Sequence, residues 1–304
     1  MRKISEILKN QYGEKVYKLS LSSGCTCPNR DGTAGYGGCA FCSEGGSGEY
    51  ASSARDIMAQ MEEAKLRIRK KTDAGRFIAY FQSFTNTYGD VKRLTELYER
   101  VISLPEIVIL SIGTRPDCLG EDVMRMLIHL NAIKPVWVEL GLQTIHDKTA
   151  DRMNRGYALP VFREAVRKLK AAGIQVVVHV ILGLPGETKH MMLQTIHYLA
   201  EIDPPIDGIK IQMLNILKDT RLAEEYNRQP FPLLTMDEYT DLVCESFQVL
   251  PDDIAVHRMT GDGPGDLLIA PDWVRNKKKV LNTITGKLIG KEGHDYQTVT
   301  LVGE

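Results

Sequence analysis

Cys27, Cys39 and Cys42 lie in the run Cys25-Thr-Cys-Pro-Asn-Arg-Asp-Gly-Thr-Ala-Gly-Tyr-Gly-Gly-Cys-Ala-Phe-Cys42, spaced C-x11-C-x2-C. Three thiolates on a glycine-rich loop can hold three irons of a 4Fe–4S cluster and leave the fourth iron open to an external ligand. An open iron serves chemistry rather than electron storage alone. Gly32, Gly35, Gly37 and Gly38 permit the tight turns that aim thiolates and backbone N–H groups at one inorganic core. The alternative is a structural zinc knot with Cys25 as fourth ligand. Closed four-cysteine zinc sites usually use two CxxC-like knuckles, whereas Cys25-Thr-Cys27 is a C-x-C pair, so Cys25 is set aside as a bystander thiol.

The elements that must position this loop alternate in type. Apolar, β-rich runs at residues 16–21, 76–82, 107–112, 136–140, 174–182 and 208–214 read as strands. Amphipathic segments at 54–71, 91–102, 121–130, 160–171 and 189–200 read as helices. Such a rhythm implies parallel strands wrapped by helices. A doubly wound open sheet satisfies the pattern too, but the candidate functional residues all follow strand ends, as on the active face of a barrel. The expected fold is therefore α/β, a partial (β/α)6 TIM-like barrel over residues 1–234, with the cluster loop 25–42 leaving its first strand. From Thr235 the rhythm breaks. A helix at 236–250 and the Gly/Pro-rich stretch His257-Arg-Met-Thr-Gly-Asp-Gly-Pro-Gly-Asp266 read as a C-terminal extension over 235–304 that covers the barrel mouth.

Composition narrows the class. A chain of 304 residues can bury a large core, and 38 Lys and Arg against 39 Asp and Glu give no global pull towards nucleic acid. The basic runs at 65–71 and 275–279 remain local candidates, although each also reads as a solvated face. No apolar run approaches the roughly 18 residues of a membrane span, and Met-Arg-Lys at the start precedes no signal-like core. No membrane partner and a cytoplasmic location are expected. Four of the six cysteines crowd into 25–42, which in a chain without a signal favours metal over disulfides; Cys118 and Cys244 read as structural thiols.

With Phe41 just before its last cysteine, the loop resembles the cluster motif of radical S-adenosylmethionine (SAM) enzymes, in a long-spaced version of C-x3-C-x2-C. Its wording, Cys-Pro-Asn-Arg-Asp-Gly-Thr through Gly-Gly-Cys-Ala-Phe-Cys, is similar to that of the YtqA/YhcC family. Other stretches extend the resemblance over nearly the whole chain. Ala79-Tyr-Phe-Gln-Ser-Phe-Thr-Asn-Thr-Tyr88 stands where the superfamily places Gly-Gly-Glu against the methionyl amine, which implies contact through Gln82, Ser83 or nearby backbone. Ser111-Ile-Gly-Thr-Arg-Pro-Asp117 resembles the third-strand motif of the catalytic subunit of Elongator, with Gly113 in place of an acidic residue. Val138-Glu-Leu-Gly-Leu-Gln143 followed by Arg155-Gly-Tyr157 is similar to the segment that contacts the ribose and carboxylate of SAM. An amide suits ribose hydroxyls, and a guanidinium about three helical turns after Gln143 can grip a carboxylate bidentately. Glu139 points to the same region or is a buried structural carboxylate. His179-Val-Ile-Leu-Gly-Leu-Pro-Gly-Glu187 resembles the adenine-binding segment, with Ile181, Leu184 and Phe41 about the purine and His179 a core histidine. Gln212 or Asn215 on the sixth strand would face the substrate.

The resemblance implies a 4Fe–4S cluster on Cys27, Cys39 and Cys42, SAM on its open iron, and reductive cleavage to a 5′-deoxyadenosyl radical fed by a donor such as flavodoxin or ferredoxin. It also implies tRNA as partner and a wobble uridine as target, with removal of carboxymethyl from 5-carboxymethylaminomethyluridine to give 5-aminomethyluridine. Arg115, His257 and Arg258 are the candidates for substrate contact, with Tyr88, Tyr157 or Trp273 as a platform for a splayed base. A radical enzyme on a small-molecule or peptide substrate, and a zinc-stabilised RNA-binding protein, are the other classes the residues allow.

Overall fold

The computed structural model of the chain describes residues 2–46, 51, 56–70, 72–261, 263 and 265–292. Residues 54, 55 and 71 of the expected second helix, with Lys71 of the basic run, and Asp262 and Pro264 of the Gly/Pro-rich stretch lie outside the described residues. The first elements are β1 (Arg2–Lys3), α1 (Ile4–Tyr12), β2 (Tyr17–Leu21), α2 (Ile57–Arg69), β3 (Phe77–Phe81), α3 (Val91–Ile102), β4 (Ile107–Thr114) and α4 (Glu121–Ile133). Then come β5 (Val136–Gln143), α5 (Asp147–Arg152), α6 (Leu159–Ala171), β6 (Gln175–Leu182), α7 (Lys189–Glu201) and β7 (Gly208–Met213). The chain continues with β8 (Ile216–Leu217), α8 (Arg221–Arg228), α9 (Met236–Val249), β9 (Ala255–Arg258), β10 (Leu268–Ala270) and α10 (Lys277–Glu292). Helix starts are written in the sequence: Asp56, Asp90, Thr188 and Thr220 cap α2, α3, α7 and α8, and Thr235 with Glu238 forms a reciprocal capping box on α9.

Eight parallel strands form one sheet in the order β1-β9-β7-β6-β5-β4-β3-β2. From β2 to β7, neighbours in sequence are neighbours in the sheet, so the winding never reverses as a doubly wound sheet requires. The sheet curls far enough for β7 to meet β3: Lys210 Nζ lies 2.9 Å from the Tyr80 hydroxyl, with three strands between them. This is the partial barrel that the alternating pattern implies.

Strand alternation divides the side chains between two environments. Leu19, Phe81, Leu110, Val138, Val178 and Ile211 pack outward against Tyr98, Leu127, Phe162, Leu169 and Ile196 of the surrounding helices in the main core. Each such burial stabilises by about 1.5–3 kcal/mol. The intervening residues face the barrel interior. At the starts of the strands, Leu8 of α1 packs with Ile78, Ile109 and Trp137 and closes that end of the interior. Access is therefore from the strand C-termini.

One boundary differs from the sequence reading, which sets residues 235–304 outside the barrel. β9 comes from that segment and lies in the main sheet between β1 and β7. Ala255-Val-His-Arg is too short and too polar to read as a strand, and this places His257 and Arg258 on the barrel wall rather than in a tail. Trp273 donates its indole N–H to Leu234 O at 3.0 Å and stacks obliquely on Tyr239. The basic run that begins at Lys65 is not one solvated face, since Lys65 is buried with Glu106 at 2.6 Å and Glu62 at 2.9 Å. Among the described residues, no helix is long and apolar enough to cross a membrane.

Candidate active site at the open end of the barrel

The cysteine loop folds on its own short turns. Arg30 N–H donates to Cys27 O at 2.8 Å, Ala34 N–H to Pro28 O at 2.8 Å, Gly38 N–H to Asn29 O at 2.8 Å and Cys42 N–H to Cys39 O at 3.0 Å. Gly38 holds φ +75°, and a Cβ there would lie 3.0 Å from Arg30 Nε, so both its backbone and its surroundings select glycine. Cys27, Cys39 and Cys42 are half-buried thiols, none of them in a disulfide. Burial pushes the Cys39 thiol up to about 12, the Cys42 sulfur adds to the rise, the Arg115 guanidinium opposes it and Cys27 adds again. The three sulfurs thus share one electrostatic environment, with Arg115 as its counter-charge. Sulfurs so placed become thiolates when a metal replaces their protons, and the donor set fits an iron–sulfur cluster. Cys25 stands apart in the main core with its sulfur 3.5 Å from Arg93 Nη2, and Cys244 lies 3.8 Å from Ile284 O. Among the described residues, no three His, Cys, Asp or Glu side chains are gathered as a single metal ion would need.

The loop is locked to the turn after α5. Asn29 Nδ2 donates to Asn154 O and lies 3.8 Å from Cys39 Sγ, while Asn154 Nδ2 returns hydrogen bonds to Gly38 O at 2.7 Å and Tyr36 O at 3.2 Å. Ala40 N–H donates to Met153 O at 2.9 Å. Asn154 and Gly156 have φ of 53° and 78°, so Arg155 sits in a tight turn. The spacing from Gln143 suggests a helical position, but α5 is only six residues long and ends at Arg152.

Arg155 is almost wholly buried, and most of its donors go to backbone carbonyls. Nε reaches Tyr157 O at 3.0 Å, and Nη1 reaches Leu142 O at 2.9 Å and Thr144 O at 2.6 Å. A two-pronged grip on a carboxylate is therefore not available. Nη2 alone is buried with no hydrogen-bond partner, as is Asn29 Oδ1 beside the cysteines. Arg115 is likewise engaged: it pairs with Asp117 through Nε at 2.9 Å and Nη2 at 2.6 Å, and Nη1 donates to Arg155 O at 2.8 Å. Both guanidinium groups lie over the Tyr157 ring, at 5.1 Å for Arg115 and 4.6 Å for Arg155. Arg115 thus faces the cysteines as a fixed positive charge.

Gln143 ends β5 with φ +62°, where a register shift separates it from Gly141, and its Nε2 occupies space that a Cβ on residue 141 would need. A non-glycine residue in this conformation costs about 1–2 kcal/mol, strain of the kind that gathers at binding sites. Tyr157 donates its hydroxyl to Gly141 O, 3.5 Å from Gln143 Oε1. Phe41, Ile181 and Leu184 meet in one apolar group with Ala40, Met153 and Leu214, so the three residues read as flanking a purine do come together. Ser83 is buried at the end of β3, and Gln82 N–H donates to Leu21 O at 3.4 Å. Gly113 packs its backbone on this strand, since a Cβ would lie 3.2 Å from Phe81 O. Asn86, which the sequence reading passes over, ties these ends together through Phe81 O at 3.0 Å and Gly113 O at 2.9 Å.

Inside the barrel lies a charged group whose size the sequence reading did not anticipate. Glu139 accepts hydrogen bonds from Ser111 at 2.8 Å, from His179 Nε2 at 2.6 Å and from Lys210. Lys18 Nζ is 3.9 Å from its Oε1. Burial alone would raise the Glu139 carboxyl, but Lys210, Lys18 and His179 hold it well below the usual carboxylate range. Burial and then Lys210 push His179 down to about 4 against the Glu139 hydrogen bond, leaving a neutral ring at pH 7. His257 is buried edge-on to Trp137 at 4.9 Å, and its Nδ1 has no partner. Arg258 Nη1 lies 3.5 Å from Gln212 Oε1. Lys18, Tyr80 and Lys210 are the members missed. The signal was there in Gly208-Ile-Lys-Ile-Gln-Met213, where Lys210 and Gln212 alternate with apolar residues and so share the inner face.

Residues 23–199 match the model of the Radical SAM superfamily, and residues 206–289 match the Radical SAM C-terminal domain. The chain is 44% identical to the uncharacterized protein YtqA of Bacillus subtilis, across 92% of this chain and 87% of that one. It is 28% identical to a tRNA uridine(34) acetyltransferase of Methanocaldococcus jannaschii, across 61% of this chain and 33% of that one. The structure of the archaeal Methanocaldococcus infernus Elp3 shares the fold, with a TM-score of 0.64 at 18% identity, covering 75% of this chain and 58% of that one. A family model spanning more than half of the chain, together with the match to YtqA along most of both proteins, establishes that this chain belongs to the radical SAM superfamily, in the family of YtqA.

Proposed function

We propose that this radical SAM enzyme modifies the wobble uridine of tRNA, removing the carboxymethyl group of 5-carboxymethylaminomethyluridine to leave 5-aminomethyluridine. The observation that carries the reading is the shared stretch, 61% of this chain, with a relative whose name gives uridine 34 of tRNA as its target. In this reading Cys27, Cys39 and Cys42 hold the cluster and Arg115 balances its charge. Arg155 Nη2 and the strained Gln143 hold SAM, Gln82 and Ser83 lie by its amine, and Phe41, Ile181 and Leu184 flank its adenine. When bound, the cluster and SAM supply the one-electron cleavage that lets an unactivated carbon lose hydrogen. The protein's part is to orient the reacting groups and exclude water. The exposed Lys278 and Lys279 at the start of α10 offer phosphate contacts, and a flavodoxin or ferredoxin supplies the electron.

Nucleoside mass spectrometry of tRNA from a strain lacking the gene tests the reading. Accumulation of 5-carboxymethylaminomethyluridine with loss of 5-aminomethyluridine is expected; an unchanged profile rejects it. The role of Gln143 has its own signature. Gln143→Gly relieves the positive-φ strain, so the melting temperature rises by an amount matching about 1 kcal/mol, while SAM affinity measured by equilibrium dialysis falls about tenfold, the loss of one or two hydrogen bonds. A fall in both quantities together would show Gln143 to be structural.

A further inference from the structure

We infer that Asn29 is a positioning residue that raises the reduction potential of the cluster by donating a side-chain N–H to the sulfur of Cys39; the inference rests on the cluster ligation given above and on nothing about the substrate. Asn29 is wholly buried between two parts of the site. Its Nδ2 lies 3.8 Å from Cys39 Sγ, and the same nitrogen donates to Asn154 O in the turn that carries Arg155. A primary amide has two N–H groups and so serves both acceptors at once. The Asn29 carbonyl meanwhile accepts from Gly38 N–H at 2.8 Å, which ties the residue to the stretch leading into Cys39.

What faces the amide determines which way round it sits. Turned over, Oδ1 would meet Asn154 O and a sulfur, two acceptors with no proton between them. The orientation that avoids this leaves Oδ1 buried with no hydrogen-bond partner. Such an orphan acceptor costs stability, so its retention points to a role other than folding. Two glycines close on it: a Cβ at Gly35 would lie 2.5 Å from Oδ1, and one at Gly156 would lie 3.1 Å away. Gly35 is not among the glycines with positive φ, so the amide oxygen, not the turn, selects glycine there. An N–H dipole held on a cluster sulfur favours the reduced form, which carries one more negative charge, and thus raises the potential. Away from water the dipole is little screened.

The test is a redox titration of the reconstituted enzyme, read by the electron paramagnetic resonance of its reduced cluster. Asn29→Leu keeps the shape and removes the donor. Its potential is expected to fall by about 59 mV, a tenfold shift of a one-electron equilibrium. Gly35→Ala leaves Asn29 in the chain but pushes its amide aside, and is expected to lower the potential by a smaller amount. Asn154→Gly is the control. It removes the side-chain bonds to Gly38 O and Tyr36 O at a residue whose φ of 53° suits glycine, and those bonds go to carbonyls rather than to a sulfur. Its equilibrium is expected to stay within about twofold of wild type. An unchanged potential in Asn29→Leu overturns the inference. So does a fall in Asn154→Gly as large as that in Asn29→Leu, because loop rigidity would then be the cause. Should Asn29→Leu hold no iron, the wild type decides: with asparagine carrying the heavy nitrogen isotope in its side-chain amide, a hyperfine coupling to the reduced cluster is expected, and its absence rejects the inference. A wild type that assembles no cluster after anaerobic reconstitution overturns the cluster ligation and this inference together, whereas a wild-type cluster insensitive to Asn29 overturns this inference alone.

Discussion

Alanine at Cys27, Cys39 or Cys42 abolishes the brown iron–sulfur absorbance after anaerobic reconstitution, and SAM cleavage with it, whereas Cys25→Ala keeps both. The difference follows from where the four sulfurs lie. Cys42 and Cys27 both push the Cys39 thiol up and Arg115 opposes them, so the three loop sulfurs contribute to a single anionic centre. A cluster already held by three protein ligands loses its site when one is removed, because the fourth iron position belongs to an external ligand. Cys25 belongs to the hydrophobic core with its sulfur against Arg93, and its truncation removes only packing and a weak contact, about 1–2 kcal/mol. Iron content, the visible spectrum and release of methionine are the three readouts. Loss of iron in Cys25→Ala, with retention in any one of the other three variants, would mean that the ligand set is wrong.

Glu139→Gln is the second large effect, on stability. The substitution keeps the shape and removes the acidic group on which Lys210 and Lys18 converge, leaving those two lysines facing each other without it. Breaking a buried pair by removing one partner typically costs about 3–5 kcal/mol, measurable by denaturant unfolding of the metal-free chain. Removing the other partner as well should restore much of that loss, so Glu139→Gln with Lys210→Met melts above Glu139→Gln alone. A double variant less stable than either single one would show that the carboxylate acts through Ser111 and His179 instead. The pH dependence has a definite sign. The Glu139 carboxyl is depressed in the folded protein, so its contribution is complete above the ordinary carboxylate value near 4.5 and is lost as pH falls through the lower folded value. His179, pushed down to about 4 from 6.5, binds more protons unfolded than folded between those values, so stability already declines as pH falls from 6.5. Glu139→Gln should flatten the lower part of this decline.

The fold was legible because six strands announce themselves as apolar runs with five amphipathic helices between them, and that regularity survives in the sheet order. What escaped was β9, whose four residues Ala255-Val-His-Arg258 turn polar groups inward and show no periodicity long enough to read. The cysteines were legible through their types and spacing, and the apolar trio Phe41, Ile181 and Leu184 through the resemblance to the superfamily's adenine-binding segment. Arg155 shows the limit of such reading. Its identity points to a guanidinium at the site, but nothing in the spacing tells that Leu142, Thr144 and Tyr157 carbonyls take most of its donors. The interior charges were obscured for a related reason: a lysine inside a strand of isoleucines reads as an interruption until the closure of the barrel brings Glu139 to it.

The pairing of β1 with β9 joins residues about 250 positions apart, Arg2 with Ala255 and Lys3 with Val256. A contact of such long range has a large loop-closure cost and forms late in folding, after the locally connected β2-to-β7 strands have assembled. The other side of the same short strand pairs with β7, setting Arg258 beside Lys210 across a much shorter stretch of chain. The N-terminal edge strand is thus the last piece of the wall to be placed, added to a sheet already assembled around Glu139.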